Sequence, residues 1–358
     1  MLRPLVRPLT RPLARPLARL RYAAEQGARV AWYAGHYAAV NRLRGPVTRP
    51  GEAPFKPTAP IPKLPDILHS IRELFERDYR NIEAGIYKAP ELGTDPRKPI
   101  DRAIRFFLDA KKVDERRMDK RHSEVNTGVK SKHFPRYYLQ NFHFQTDGWL
   151  SEESANLYDT QVETLFAGTA DAMRRQALVP ISDYMSDKDQ RDVCLLDIAC
   201  GTGRFLREVK RNWPRTGVTA LDLSPDYLAK TKRALAKWGR THFVNAPAER
   251  LPLAKASQDI VTVTYLFHEL PPKVRRQVAD EIARVLKPGG LFILVDALQT
   301  DDHASFNSLL EFFPVAFHEP YFSTYLEEDF EALFARAGLR SLQQQTGYLT
   351  KMVVFEKS

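Results

Sequence analysis

The chain has 358 residues, 43% hydrophobic and 27% charged, with a formal net charge of +10. That length allows one large domain or two ordinary ones. It holds no run of about eighteen apolar residues, so a membrane-spanning helix is not expected. The two cysteines, Cys194 and Cys200, make neither a disulfide framework nor a thiolate zinc site, which fits a reducing, cytoplasmic setting.

Charge is spread unevenly. Residues 1–150 contain 29 Lys and Arg against 16 Asp and Glu, whereas the remainder contains 25 against 28. The positive excess therefore sits in the N-terminal part, as expected for a segment that meets an anionic surface. Residues 3–18 repeat RPLV, RPLT, RPLA, RPLA. A proline every fourth residue removes amide donors and opposes a regular helix, so an extended, polyproline-like tail is expected. Interleaved Arg and Leu suit a peripheral contact with an anionic membrane, an organelle-targeting segment or a plain basic tail. Residues 20–43 turn Ala-rich and helical. Trp32, Tyr33 and Tyr37 there stand among Arg21, Arg29, Arg42 and Arg44. The segment reads as an interfacial helix or as one packed on the body.

Residues 1–44 thus form a basic tail and helix. Residues 45–65, with seven prolines, form a semi-rigid linker. Residues 66–150 form a helical, substrate-covering region. Its first helix carries Ile67, Leu68, Ile71, Leu74 and Phe75 at helical spacing, with Asp66 as N-cap. Its second, over 99–118, is expected to bury Ile100, Ile104, Phe107 and Leu108. Residues 136–151, RYYLQNFHFQTDGWLS, concentrate aromatics just before the next region. Ser151 reads as an N-cap with Glu152 and Glu153 in the first turn. A single long helix is expected to follow to about Leu178, with Tyr158, Val162, Leu165, Phe166 and Met173 facing inward.

From Val193 the pattern alternates. Strands are expected over 193–198, 217–222, 241–245, 259–264 and 291–296, helices over 203–212, 225–237, 272–285 and 327–337, and a terminal hairpin turning near Leu349 and Thr350. Alternating β and α predicts a parallel, doubly wound sheet over residues 151–358, preceded by the α-helical N-terminal region.

VCLLDIACGTGRFL, residues 193–206, is the most informative stretch. A hydrophobic strand ends in Asp197, turns through Gly201 and Gly203, and opens a helix. Glycines there let the backbone approach a ligand, and the open sheet places that ligand at the carboxyl ends of its strands. A dinucleotide fingerprint would need Gly or Ala where Leu206 stands, and Asp197 would repel a pyrophosphate. The anionic residue suits a ligand with a cationic centre. The second strand ends in Asp222, an acid placed to accept hydrogen bonds from ribose hydroxyls. A cationic amino-acid end joined to a ribose describes S-adenosylmethionine.

These stretches resemble the class I S-adenosylmethionine-dependent methyltransferases. LLDIACGTG and LDLSPDYL are similar to the first two motifs of that family. APAERLPL (246–253) is similar to the loop flanking the adenine, DIVTVTYLFHEL (259–270) to the fourth strand and its exit, and IARVLKPGGLFILVD (282–296) to the lead into the fifth strand. The order matches best the small-molecule branch that includes the ubiquinone and menaquinone C-methyltransferases, and it covers about 190–300. The resemblance implies a seven-stranded Rossmann-like sheet with a C-terminal antiparallel hairpin. It implies that Asp197, Ala199, Gly201, Thr202 and Gly203 line the methionine end, Asp222 and Leu223 the ribose, and Pro247, Ala248 and Glu249 the adenine, with Thr264 beneath the cofactor.

Methyl transfer from an activated sulfonium needs mainly in-line placement in a dry site, and a base only where the acceptor must lose a proton. Tyr265, His268 and Glu269 are the catalytic candidates, with His268 read as base or as wall. His143, Trp149, His318, Glu319 and Tyr321 are the acceptor candidates, and Tyr137, Tyr138, Phe142 and Phe144 could join them as a lid. No metal-ligating motif is expected. After the fourth strand there is no [DN]-P-P-aromatic motif of the kind that holds a flipped base. A small-molecule, lipid- or quinone-like acceptor is therefore favoured over nucleic acid or protein. A non-catalytic, cofactor-binding assembly factor is the remaining class.

Overall fold

The computed structural model describes residues 14–46, 48, 51, 53–91, 97–125 and 134–358. Five parallel strands form the centre of the sheet: β1 (Cys194–Ile198), β2 (Gly217–Asp222), β3 (Thr241–Asn245), β4 (Gln258–Thr264) and β5 (Leu286–Ala297). A hairpin of β6 (Leu339–Gly347) and β7 (Thr350–Lys357) pairs antiparallel with β5. The order is β3-β2-β1-β4-β5-β7-β6, the mixed, doubly wound arrangement expected.

Side chains alternate across a strand, and here the two sets enter separate cores. Leu196, Ile198, Val261 and Val263 pack with Val278 and Ile282 of the helix Pro272–Val285 and with Leu333 and Phe334 of the helix Phe330–Arg336. Leu195, Val218, Ala220 and Ile260 pack on the other face, with Leu206 and Val209 of the helix Arg204–Asn212 and Leu235 of the helix Pro225–Leu235. A strand buried on both faces reads as a near-continuous apolar run, as β1 does apart from Asp197, whereas β4 keeps Thr262 and Thr264 among its apolar residues.

The N-terminal helices belong to the same body. α1 (Ala14–Leu43) packs on it through Tyr22, Gln26 and His36, and Arg29 reaches Asp171 at 2.9 Å and the carbonyl of Gly168 at 2.9 Å. Of the proline repeat, residues 1–13 lie outside the described residues. Residues 14–18 are helical rather than extended, with Pro16 within the helix. α2 (Leu64–Glu83) starts one turn earlier than expected. Pro65 lies in its first turn, and Asp66 is not the cap but accepts the Lys63 N–H at 3.2 Å from inside the helix.

α3 (Arg97–Met118) has the expected length but the opposite face. Ile100, Ile104 and Leu108 are 55%, 57% and 68% exposed, whereas Ala103, Phe106 and Asp109 are buried. Polar anchors set this rotation. Asp109 accepts Thr146 Oγ1 at 2.5 Å and Gln161 Nε2 at 3.3 Å. Arg117 bonds Asp114 at 2.7 Å and the carbonyls of Gly45 and Pro46 at 3.2 and 3.0 Å. Leaving a buried charge unpaired costs about 3–5 kcal/mol, so two such anchors offset the exposure of three aliphatic residues, whose burial is worth about 1.5–3 kcal/mol each.

The long helix expected after Ser151 is broken. Ser151 does cap it, accepting the Ser154 N–H at 3.1 Å. The helix Glu152–Leu165 then stops where Ala167 and Gly168 turn left-handed, at φ 48° and 80°, and shorter helices follow at Ala170–Arg175 and Leu178–Met185. A Cβ on Gly168 would stand 3.0 Å from the Arg29 carbonyl oxygen, so only glycine admits α1 this closely.

Candidate functional site

The strand order reverses between β1 and β4, and a crevice opens at that point beyond the carboxyl ends of the strands. It encloses about 760 Å³ including its mouth. The floor comes from the β1 turn (Ala199, Gly201), the end of β2 (Leu221, Asp222, Leu223), Ala246 and Ala248 after β3, and Thr264, Tyr265, Leu266, Glu269 and Leu270 after β4. Over it lies an aromatic wall of Tyr137, Tyr138, Phe142, Trp149, Tyr158 and Tyr227.

Two of the turns are bent at non-glycine residues. Ala199 and Tyr265 hold φ of 56°, at the ends of β1 and β4. Such positions cost on the order of 1–3 kcal/mol each and cluster at ligand sites. Gly201, at φ 56°, lines the cleft. A Cβ there would meet only Tyr158 Cε1, at 4.0 Å, so protein does not fill the space in front of it. Gly203, at φ 75°, has a different reason: a Cβ would lie 2.9 Å from Thr231 Cγ2, so it sets the approach of two helices.

Asp222 is the polar anchor of the cleft. Its Oδ2 accepts the Gly201 N–H at 2.8 Å and its Oδ1 the Ser224 N–H at 2.8 Å. Burial pushes its carboxyl up to about 6, against the pull of those N–H groups. Asp197 stands elsewhere than expected. It is buried inside the sheet, accepts Thr262 Oγ1 at 2.6 Å and is pushed up to about 7 by burial, with Asp222 adding to the rise. It does not line the cleft, because its side chain turns toward β4. Both folded pKa values lie above the ordinary 3.8. Their contribution to stability is therefore complete below about pH 4 and lost as pH rises through about 6 and 7.

The remaining expected cofactor residues divide. Ala199, Gly201, Leu223, Ala248 and Thr264 line the cleft with Asp222. Thr202 turns away, donating to Asp159 at 2.6 Å, and Glu249 stands at the rim, accepting the Tyr137 hydroxyl at 2.8 Å. Pro247 does not border the cleft but accepts the Arg250 N–H through its carbonyl at 3.2 Å.

His268 is not placed as a free base. It is buried behind the cleft, with Nδ1 at 2.6 Å from Asp296 Oδ1. Burial opposes its charge, but the Asp296 carboxylate outweighs that and raises it to about 9. A ring already protonated at neutral pH cannot accept a proton. Tyr265 does line the cleft, stacked on Phe166 with its hydroxyl 2.7 Å from Thr350 Oγ1. Glu269 also lines it, and burial pushes its carboxyl up to about 7.

Of the acceptor candidates, Trp149 is in the wall, edge-on to Tyr158 and Tyr227. His143 and Glu319 meet behind it, Nε2 to Oε1 at 3.0 Å. His318 stacks on His122 and bonds Gln140 Oε1 at 2.8 Å, and Tyr321 bonds Gln140 Nε2 at 3.1 Å. These last two support residues 136–151 rather than the cleft. Tyr227 was not anticipated. Its place in the first turn of a helix capped by Ser224, directly after Asp222, was the available signal.

Residues 195–290 match the family model of a methyltransferase domain. A ubiquinone/menaquinone biosynthesis C-methyltransferase from Methylobacterium nodulans is 38% identical over 110 residues, 30% of this chain and 43% of that protein. A malonyl-[acyl-carrier protein] O-methyltransferase from Xylella fastidiosa is 30% identical over 121 residues, 33% of this chain and 39% of that protein. The chain thus spans less than half the length of these curated relatives. A solved methyltransferase from Aquifex aeolicus superposes on 50% of this chain and 88% of its own, with 16% identity and a TM-score of 0.38.

Proposed function

We propose that this chain, whose residues 195–290 form a methyltransferase domain of the class I, S-adenosylmethionine-dependent type, methylates a small, largely apolar acceptor such as a quinone- or lipid-like ring. The observation that carries the reading is the cleft itself. An acid-ended β2 and an unfilled glycine turn face a wall of six aromatic residues.

Asp222 would hold the ribose hydroxyls, Gly201 and Ala199 the methionine end, and Ala248 with Leu223 the adenine. When bound, the cofactor supplies a methyl group already activated on a sulfonium. The chain's own part is then to exclude water and fix the angle of approach. Tyr138, Phe142 and Trp149 present ring faces and edges to a flat acceptor at low entropic cost, and aromatic faces favour a nearby cation. Glu269, which borders the cleft, is the polar group placed to meet an acceptor hydroxyl.

Mass spectrometry of ligands co-purified with the full chain tests the reading. The expected set is S-adenosylmethionine or its demethylated product together with an aromatic or isoprenoid compound. A polar acceptor such as an amino acid or nucleotide contradicts it. The cleft also sets a pH dependence. Asp222 must be ionised to accept from two hydroxyls, and neither Glu269 across the cleft nor Asp197 within the sheet adds positive charge. Affinity for S-adenosylmethionine should fall about tenfold per unit as pH drops below about 6. Equilibrium titrations at several pH values check this, and a flat profile from about pH 5 to pH 8 contradicts it.

A further inference from the structure

Glu319 has no exposed side-chain surface, and among the described residues its carboxylate makes no well-formed hydrogen bond, its nearest polar neighbour being His143 Nε2. Glu163 is likewise buried, but its Oε1 lies 2.6 Å from Arg29 Nη2. Glu319 has no arginine or lysine within salt-bridge range among the described residues. It faces instead Nε2 of His143, at 3.0 Å, and the carboxylate of Glu269. The three groups come from segments far apart in the chain, and one ligand atom from each lies within 4.8 Å of the other two. Spacing along the sequence could not have shown them.

We infer that His143, Glu269 and Glu319 bind a divalent metal ion. A buried acid that meets an imidazole nitrogen and a second acid, with no lysine or arginine beside it among the described residues, presents the donors that a cation takes up. One imidazole nitrogen and two carboxylates form a mixed N/O donor set suited to Mn²⁺, Fe²⁺ or Zn²⁺ and less to Mg²⁺, which favours all-oxygen sites. Two carboxylates match the charge of the ion.

The surroundings fit the role. His143 is held at φ 53°, its N–H donated to the His318 carbonyl at 3.2 Å, with its ring edge-on to Trp149 and Phe317. Packing of that kind fixes a ligand's orientation. His268 Nε2 stands 3.9 Å from Glu269 Oε1 on the far side, tied to Asp296. Glu269 borders the aromatic cleft, and Glu319 borders a second hollow lined by His122, Phe144, Phe317 and His318. The site therefore stands between two cavities. Three protein ligands leave coordination positions open, as in catalytic rather than structural sites. A hydroxyl oxygen placed on such an ion loses its proton more readily. That consequence alone rests on the methyl-transfer reading; the binding of the ion does not.

The test uses the full-length protein stripped by a chelator and titrated with MnCl₂ or ZnCl₂, read by calorimetry, by thermal unfolding and by the Mn²⁺ resonance signal. Neither cofactor nor acceptor is needed, so failure of the function proposed above leaves the result readable. One ion should bind per chain and raise Tm. Glu319→Gln should weaken binding by roughly a hundredfold or more while leaving the metal-free Tm equal to or above that of the parent, since a buried acid facing a second acid is gone. His143→Gln should weaken binding as well. Absence of saturable binding at millimolar metal overturns the inference, as does binding that neither substitution weakens.

Discussion

Asp78→Ala should lower the stability of the folded chain by about 3–5 kcal/mol. Asp78 is fully buried in α2. Its Oδ1 accepts Arg175 Nε at 2.9 Å and the Tyr87 hydroxyl at 2.8 Å, and its Oδ2 accepts Arg175 Nη2 at 2.6 Å and the Tyr22 hydroxyl. One carboxylate thus ties α1, α2, the segment after α2 and the helix Ala170–Arg175 together. Arg175 is itself 3% exposed. Burial works against its charge, and the Asp78 carboxylate more than restores it. Truncation strands a guanidinium and two hydroxyls without water, and an uncompensated buried charge dominates that cost. Asp78→Leu combined with Arg175→Met should recover part of the loss, because it removes the stranded guanidinium although the Tyr22 and Tyr87 hydroxyls still lose their acceptor. Thermal and denaturant unfolding check both variants. A single substitution that costs less than about 1 kcal/mol contradicts this account of how the N-terminal helices are held.

Asp222→Ala should abolish most of the stabilisation that S-adenosylmethionine confers. The carboxylate lies at the end of β2 with Oδ2 occupied by the Gly201 N–H and Oδ1 by the Ser224 N–H, and its remaining lone pairs face the cleft. Hydrogen bonds to a charged acceptor contribute about 1.5–3 kcal/mol each, so losing two should weaken binding by at least a hundredfold. The orphaned N–H groups of Gly201 and Ser224 will also loosen the turn. The metal-free, ligand-free Tm therefore has to be measured alongside the ligand-induced shift. Asp222→Asn keeps the acceptor oxygen and should fall between the two. A full ligand-induced shift in Asp222→Ala contradicts the ribose assignment.

The strands were legible in the sequence because burial on both faces favours short apolar and β-branched runs, as in CLLDI and DIVTVT. Asp222 was legible because a strand end at a switch point fixes where an acid can point. Asp197 was misread for the converse reason. Its chain position is right, but whether a strand-end side chain faces ligand or neighbouring strand depends on the partner, and Thr262 claims it. α3 shows the same limit: periodicity located the helix, but Asp109 and Arg117 chose the buried face. The break at Ala167 and Gly168 was hidden because nothing local announces that α1 passes there. His268 read as base or as wall from its place after β4, and what distinguishes the two is Asp296, 28 residues away, which binds its Nδ1. The His143, Glu269 and Glu319 cluster had no local signature at all.

The central claim is that the cleft between Gly201, Asp222 and the aromatic wall binds S-adenosylmethionine. Calorimetric titration of the full chain with S-adenosylmethionine and with S-adenosylhomocysteine, near neutral pH, tests it most directly. The account predicts saturable binding of each at one site per chain, in competition with the other. Absence of saturable heat for both at millimolar ligand, from a protein whose cooperative unfolding shows it is folded, would contradict it.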